Sequence, residues 1–63
     1  MAWFIVYSEA AGEQRRTPCS SYREGLRRLA ADGREENAPV HFQGGCWRYF
    51  YWPGQEARLE RMP

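Results

Sequence analysis

Apolar and polar positions change period several times along the chain, and each change predicts an element. Ala2–Ser8, AWFIVYS, is dense in aromatic and β-branched residues and reads as a strand. Alternation puts Trp3, Ile5 and Tyr7 on one face and Ala2, Phe4 and Val6 on the other. Both faces are apolar, which suits a central strand or one covered on both sides. Glu9–Pro18, EAAGEQRRTP, is polar, holds Gly12 and Pro18, and reads as a loop that hands over to a helix. Tyr22, Leu26, Leu29, Ala30 and Gly33 then fall at i, i+4, i+7, i+8 and i+11, one apolar helical face. Ser21 and Glu24 stand at capping-box spacing ahead of it, with Thr17-Pro18 as a competing start. Asp32-Gly33 is the expected stop, because glycine enters the left-handed conformation at little cost.

After a polar connection over Arg34–Pro39, period two returns. Val40–Gln43 and Cys46–Trp52 flank Gly44-Gly45, the pattern of a hairpin with a two-residue turn. Such a turn sets Gln43 opposite Cys46, Phe42 opposite Trp47, His41 opposite Arg48 and Val40 opposite Tyr49. Val40, Phe42, Trp47, Tyr49 and Tyr51 then share the face that meets the helix. His41, Gln43, Cys46, Arg48, Phe50 and Trp52 share the other. The C-terminal GQEARLERMP follows a Pro53-Gly54 turn and is either a further strand or a short helix, with Ala57, Leu59 and Met62 available to shield part of the second face. The expected fold is a single α+β domain over residues 1–63, one helix on an antiparallel sheet in the order β-α-β-β, with this C-terminal element added.

Composition sharpens that picture. A chain of 63 residues buries only about 60% of its unfolded surface, so large aromatics are an efficient filling for its interior. Five of the ten aromatics crowd into Trp47–Trp52. Nine basic residues, all arginine, nearly balance eight acidic ones, which weighs against broad electrostatic attraction to nucleic acid or anionic membrane. The apolar start is too short to span a membrane and has no basic segment before it, so a cytoplasmic protein is expected. Cys19 and Cys46, even with His41, do not make a four-ligand zinc set, and in that compartment they are expected as free thiols.

The same residues rank the chemistry. Cys46 and His41 share a sheet face but lack an evident residue to orient the imidazole, and Glu35-Glu36 lies in an exposed loop with nothing to raise a carboxyl pKa. No phosphate-cradling loop is present. No catalytic residue, cofactor or metal is therefore expected. Two binding readings are left. Arg48, Phe50 and Trp52, with Arg15-Arg16 in a loop nearby, could stack bases and neutralise phosphates of single-stranded nucleic acid. The favoured reading is a protein interface in which Arg48, Phe50 and Trp52 form the hot spot and Asp32, Glu35 and Glu36 offer a negative patch to a basic partner. A second copy of the chain is a further candidate to cover the aromatic face.

In size and style, with WFIVY, SYREGLRRL and GGCWRYFYW as its structured stretches, the chain resembles the small proteins with which phages inhibit bacterial defence, the anti-CRISPR proteins in particular. That resemblance implies a non-enzymatic inhibitor in the host bacterial cytoplasm. Its expected partner is a subunit of a CRISPR effector complex, bound stoichiometrically by carboxylates standing where DNA phosphates would lie.

Overall fold

The computed structural model describes residues 2–9 and 11–62; Ala10, inside the expected loop, and the terminal Met1 and Pro63 lie outside the described residues. Strand β1 (Ala2–Ser8) forms where the β-branched and aromatic run predicts it. The polar stretch after it is no plain loop: Gln14–Cys19 is a second strand, β2, antiparallel to β1. It is an edge strand, and an edge tolerates Pro18, whose missing N–H would break an interior ladder. Because Thr17 and Pro18 belong to β2, the competing helix start there does not occur.

Helix α1 (Tyr22–Glu35) begins at Ser21, whose Oγ accepts the Glu24 N–H at 3.1 Å. The reciprocal half of the cap is displaced by one residue. Glu24 accepts from the Ser20 N–H at 3.1 Å and the Ser20 hydroxyl at 2.7 Å, and those bonds hold its carboxyl below the usual range. Gly33 does not stop the helix, which continues to Glu35; the left-handed position is Asn37, at φ 54°. Gly33 is instead buried, and a Cβ there would stand 2.5 Å from the Ala38 carbonyl oxygen and 3.4 Å from the Tyr49 ring. The helix rests on the sheet along Gly25, Leu29 and Gly33, and Tyr22, expected on the buried stripe, is 41% exposed.

Strands β3 (His41–Gln43) and β4 (Cys46–Trp52) form the hairpin, in the expected register from His41 opposite Arg48 to Gln43 opposite Cys46. Both turn glycines have positive φ, 64° at Gly44 and 87° at Gly45, which a two-residue turn of this hand requires. Val40 falls just before β3 and packs on the core from there. The C-terminal segment is a strand, β5 (Gln55–Met62), and it occupies the middle of a five-stranded antiparallel sheet of order β2-β1-β5-β4-β3. Lying in the plane of the sheet between β1 and β4, it leaves the second face of the hairpin unshielded.

The core lies between α1 and one sheet face: Ile5, Leu29, Tyr49, Ala57 and Leu59 are buried, with Trp3, Tyr7, Leu26, Val40, Trp47 and Tyr51 packed around them. The chain is thus an α+β domain with its helix on one side of the sheet. The helix contacts every strand except β3, so Phe42 is 60% exposed although it belongs to the helix-side face. For the same reason Trp47 is only half-buried at the rim, and Tyr49 is the aromatic at the centre. Alanine normally favours a helix over glycine by about 1 kcal/mol. At Gly33 the sign should reverse: Gly33→Ala is expected to destabilise by about 1–3 kcal/mol, read as a lower Tm, because the added methyl meets backbone. An unchanged or higher Tm would mean that the Ala38 carbonyl gives way freely.

Candidate functional site

Two groups of sequence-predicted residues end up on opposite sides of the sheet. Asp32 is on the helix side, where its Oδ2 accepts the Tyr7 hydroxyl at 3.0 Å. Glu35 and Glu36 are exposed at the helix C-terminus, and the Glu36 N–H caps the Asp32 carbonyl at 3.1 Å. These carboxylates stand at the negative end of the helix dipole, with Arg34 the one cation in the last turn beside them. Arg48 and Phe50 point to the other side, Phe50 being 49% exposed and 5.7 Å, centroid to centroid, from the His41 ring. Trp52 lies beyond a register irregularity after Phe50 and is 68% exposed.

Arg48 is not free to meet a ligand. Its Nη1 donates to Glu56 at 3.1 Å; Glu56 also accepts from Arg58 at 3.0 Å, and Arg58 pairs with Glu60 and donates to the Ser8 hydroxyl at 2.8 Å. Arg48 also donates to the Cys46 sulfur, while its own Nε is buried without a partner among the described residues. This row of charges across β4 and β5 exists because period two in QEARLERM sends Glu56, Arg58 and Glu60 to one face and Ala57 and Leu59 to the core. Paired carboxylates keep Arg58 protonated, its pKa moving up despite burial. Arg15 and Arg16 are in β2 rather than a loop, with β1 and β5 separating them from β4. Arg15, moreover, is on the helix side, 4.5 Å above the Tyr7 ring. The basic and aromatic residues expected to cooperate on nucleic acid are therefore dispersed.

Three tyrosines converge at the end of the sheet where α1 finishes. Tyr51 donates to Glu9 at 3.3 Å and its ring lies 5.8 Å from that of Tyr49. Burial first, and the Asp32 carboxylate second, push Tyr7 up to about 12; burial and Asp32 also raise Tyr49, and burial and Glu9 raise Tyr51. All three shifts move away from neutrality, so these hydroxyls keep their protons, and those of Tyr7 and Tyr51 serve as fixed donors. Cys19 and Cys46 are free thiols on opposite sides of the sheet, Cys19 against the helix and Cys46 beside Arg48. His41 spends its Nε2 on Gln43, at 2.8 Å. Among the described residues, no three His, Cys, Asp or Glu side chains are grouped to hold a metal ion, and no helix is long and apolar enough to cross a membrane.

The surface that the sequence did not single out is Phe42. Its position on the core-facing side of the hairpin is legible, but its exposure follows from the helix stopping short of β3. Phe42, Phe50 and Trp52 together make the hairpin the most aromatic part of the exposed surface. Comparison of the chain with protein-family models, curated proteins and solved structures gave no match.

The tyrosine end gives a pH-dependent expectation. Tyr7 titrates near 10 when unfolded and about 12 when folded, so its contribution to stability is complete below pH 10 and is lost as pH rises through about 12. Asp32→Asn keeps an acceptor but removes the charge, and spectrophotometric titration of tyrosinate should shift to lower pH in that variant. A titration curve that does not move would rule out the carboxylate as a cause.

Proposed function

We propose that the chain is a non-enzymatic protein-binding module that engages one partner stoichiometrically through the β3–β4 hairpin. The observation that carries this reading is where exposed aromatic surface is kept: among the described residues, Phe42, Phe50 and Trp52 are three of the four large apolar side chains left exposed, at 60%, 49% and 68%. Burying one such side chain contributes about 1.5–3 kcal/mol, a large amount for a domain whose fully enclosed core is a handful of residues. Aromatics held out of so small a core, beside polar His41 and Gln43, have the composition of an interface hot spot. Phe42 and Phe50 project from opposite sides of the sheet, so the fitting partner is one with a cleft that takes the hairpin edge-on.

The resemblance to phage inhibitors supplies the first partner to try, a subunit of a CRISPR effector complex in the bacterial cytoplasm. The acidic helix end formed by Asp32, Glu35 and Glu36 supports that choice, since it offers carboxylates to a surface built for phosphates. Single-stranded nucleic acid draws on the same aromatics but needs free cations beside them, and Arg48 and Arg58 are held by Glu56 and Glu60.

Capture from lysate of bacteria carrying CRISPR systems, with and without nuclease, tests the reading. The wild-type chain should retain a protein partner after nuclease. A Phe42→Ser, Phe50→Ser, Trp52→Ser triple variant should lose that partner while keeping its far-ultraviolet circular dichroism. Release by nuclease, or undiminished capture by the folded triple variant, would overturn it.

A further inference from the structure

The side of α1 that faces the hairpin carries a second surface. Tyr22, Leu26 and Ala30 recur every fourth residue and, with Arg23 and Arg27, line an open and mainly apolar groove. Turning about 100° per residue, these three form a stripe between the buried Gly25, Leu29 and Gly33 and a second stripe of Arg23, Arg27 and Arg34. Beside the groove, Trp47 donates its indole N–H to the Tyr22 hydroxyl at 2.9 Å, and Phe42 lies edge-on to Trp47 at 5.3 Å.

The arginine stripe has no ion-pair or aromatic-ring partner among the described residues. Among the described residues, Arg28, Arg48 and Arg58 are ion-paired, while Arg15 and Arg61 lie over the Tyr7 and Trp3 rings. Arg16 on β2 enters neither kind of contact; the other three arginines of which this is true are Arg23, Arg27 and Arg34, all exposed and all on this one stripe. Intrachain forces oppose the arrangement. Arg23 and Arg27 repel at i, i+4, and Arg23 sits in the first helical turn, where the dipole disfavours a cation. Cations of this kind beside an apolar stripe call for an occupant that supplies carboxylates and apolar side chains together.

We propose that this groove docks an acidic amphipathic helix of a partner protein, with its apolar side on Tyr22, Leu26 and Ala30 and its carboxylates on Arg23, Arg27 and Arg34. The two stripes run parallel to α1 for about 16 Å from Arg23 to Arg34, three turns of a matching helix. A phosphodiester chain would satisfy the arginines but leave the apolar stripe uncovered. The inference rests on the protein-binding reading and deepens it by naming the chemistry of the partner.

The test selects peptides of about 16 residues, long enough for four helical turns, from a random display library on the immobilised wild-type chain, with labelled oligothymidylate as a competing probe. Selected peptides should be enriched in Asp and Glu, with apolar residues at i, i+3, i+4 and i+7, and should gain helicity on binding. An Arg23→Glu, Arg27→Glu variant should weaken them by about tenfold or more, and since both residues are exposed, its circular dichroism should be unchanged. Peptides without acidic enrichment, peptides indifferent to that variant, or tighter binding of oligothymidylate through the same arginines would overturn the proposal. The lysate capture separates the two readings. Loss of the partner in the hairpin triple variant with retention in the arginine variant would refute the groove alone; the reverse would refute the hairpin alone.

Discussion

The depth at which α1 sits on the sheet governs the rest of the structure. At Gly25 an added Cβ would stand 2.6 Å from Leu59 Cδ1 and 3.3 Å from Cys19 Sγ, so glycine is what lets the helix settle directly onto the side chains of the sheet. With the helix seated this low, Leu29 alone among the helical side chains is fully enclosed, and Ile5, Tyr49, Ala57 and Leu59 fill the remainder from below. A helix placed so low covers a narrow strip of sheet. Its reach ends before β3, which leaves Phe42 in solvent and opens the groove beside Tyr22. The thin core and the two candidate surfaces therefore share one cause.

Local signals made about half of the architecture legible. Gly44-Gly45 between two apolar runs determined both the hairpin and its pairing, and the β-branched run fixed β1. The two strands that sequence reasoning missed or left open were those with charged faces. In QRRTPC, only Thr17 and Cys19 are even partly buried, so an edge strand with one solvated side looks like a loop. In QEARLERM, the alternation of Ala57 and Leu59 is short, and four of the eight residues are charged; what makes that strand viable at the sheet centre is mutual pairing of Glu56, Arg58 and Glu60 with Arg48, a tertiary fact. Gly33 was misread because a stop and a close approach ask for the same residue. The recurrence of glycine at 25 and 33, eight positions apart on one face, was the signal for the second meaning.

For the candidate site, the sequence put Phe50 and Trp52 on one face but left open whether the C-terminal segment covers them, and it could not tell which arginines were free. Nine identical cations become three kinds in the fold: ion-paired, laid over aromatic rings, or, among the described residues, in neither contact, as are Arg16 on β2 and Arg23, Arg27 and Arg34 along the helix. Only the last kind retains its full attraction for an external anion, because an arginine already paired must first give up its carboxylate. That sorting shifts the electrostatic interest of the molecule from the sheet to α1.

The position of β5 has a consequence for how the chain reaches this state. It is the last of the five strands to be synthesised, and it alone joins β1 to β4. Before it docks, the β1–β2 hairpin and the β3–β4 hairpin are separate pieces, and the inner edge of AWFIVYS, apolar on both faces, is open to any strand that arrives. Folding is thus a race between the intramolecular arrival of QEARLERM and intermolecular pairing, one that high chain concentration tilts toward aggregation. The charged face of β5 bears on this race as well: Glu56, Arg58 and Glu60 find their complements next to Arg48 and Ser8 of the same chain, which marks the correct strand for a vacancy that hydrophobicity alone would leave open to imposters.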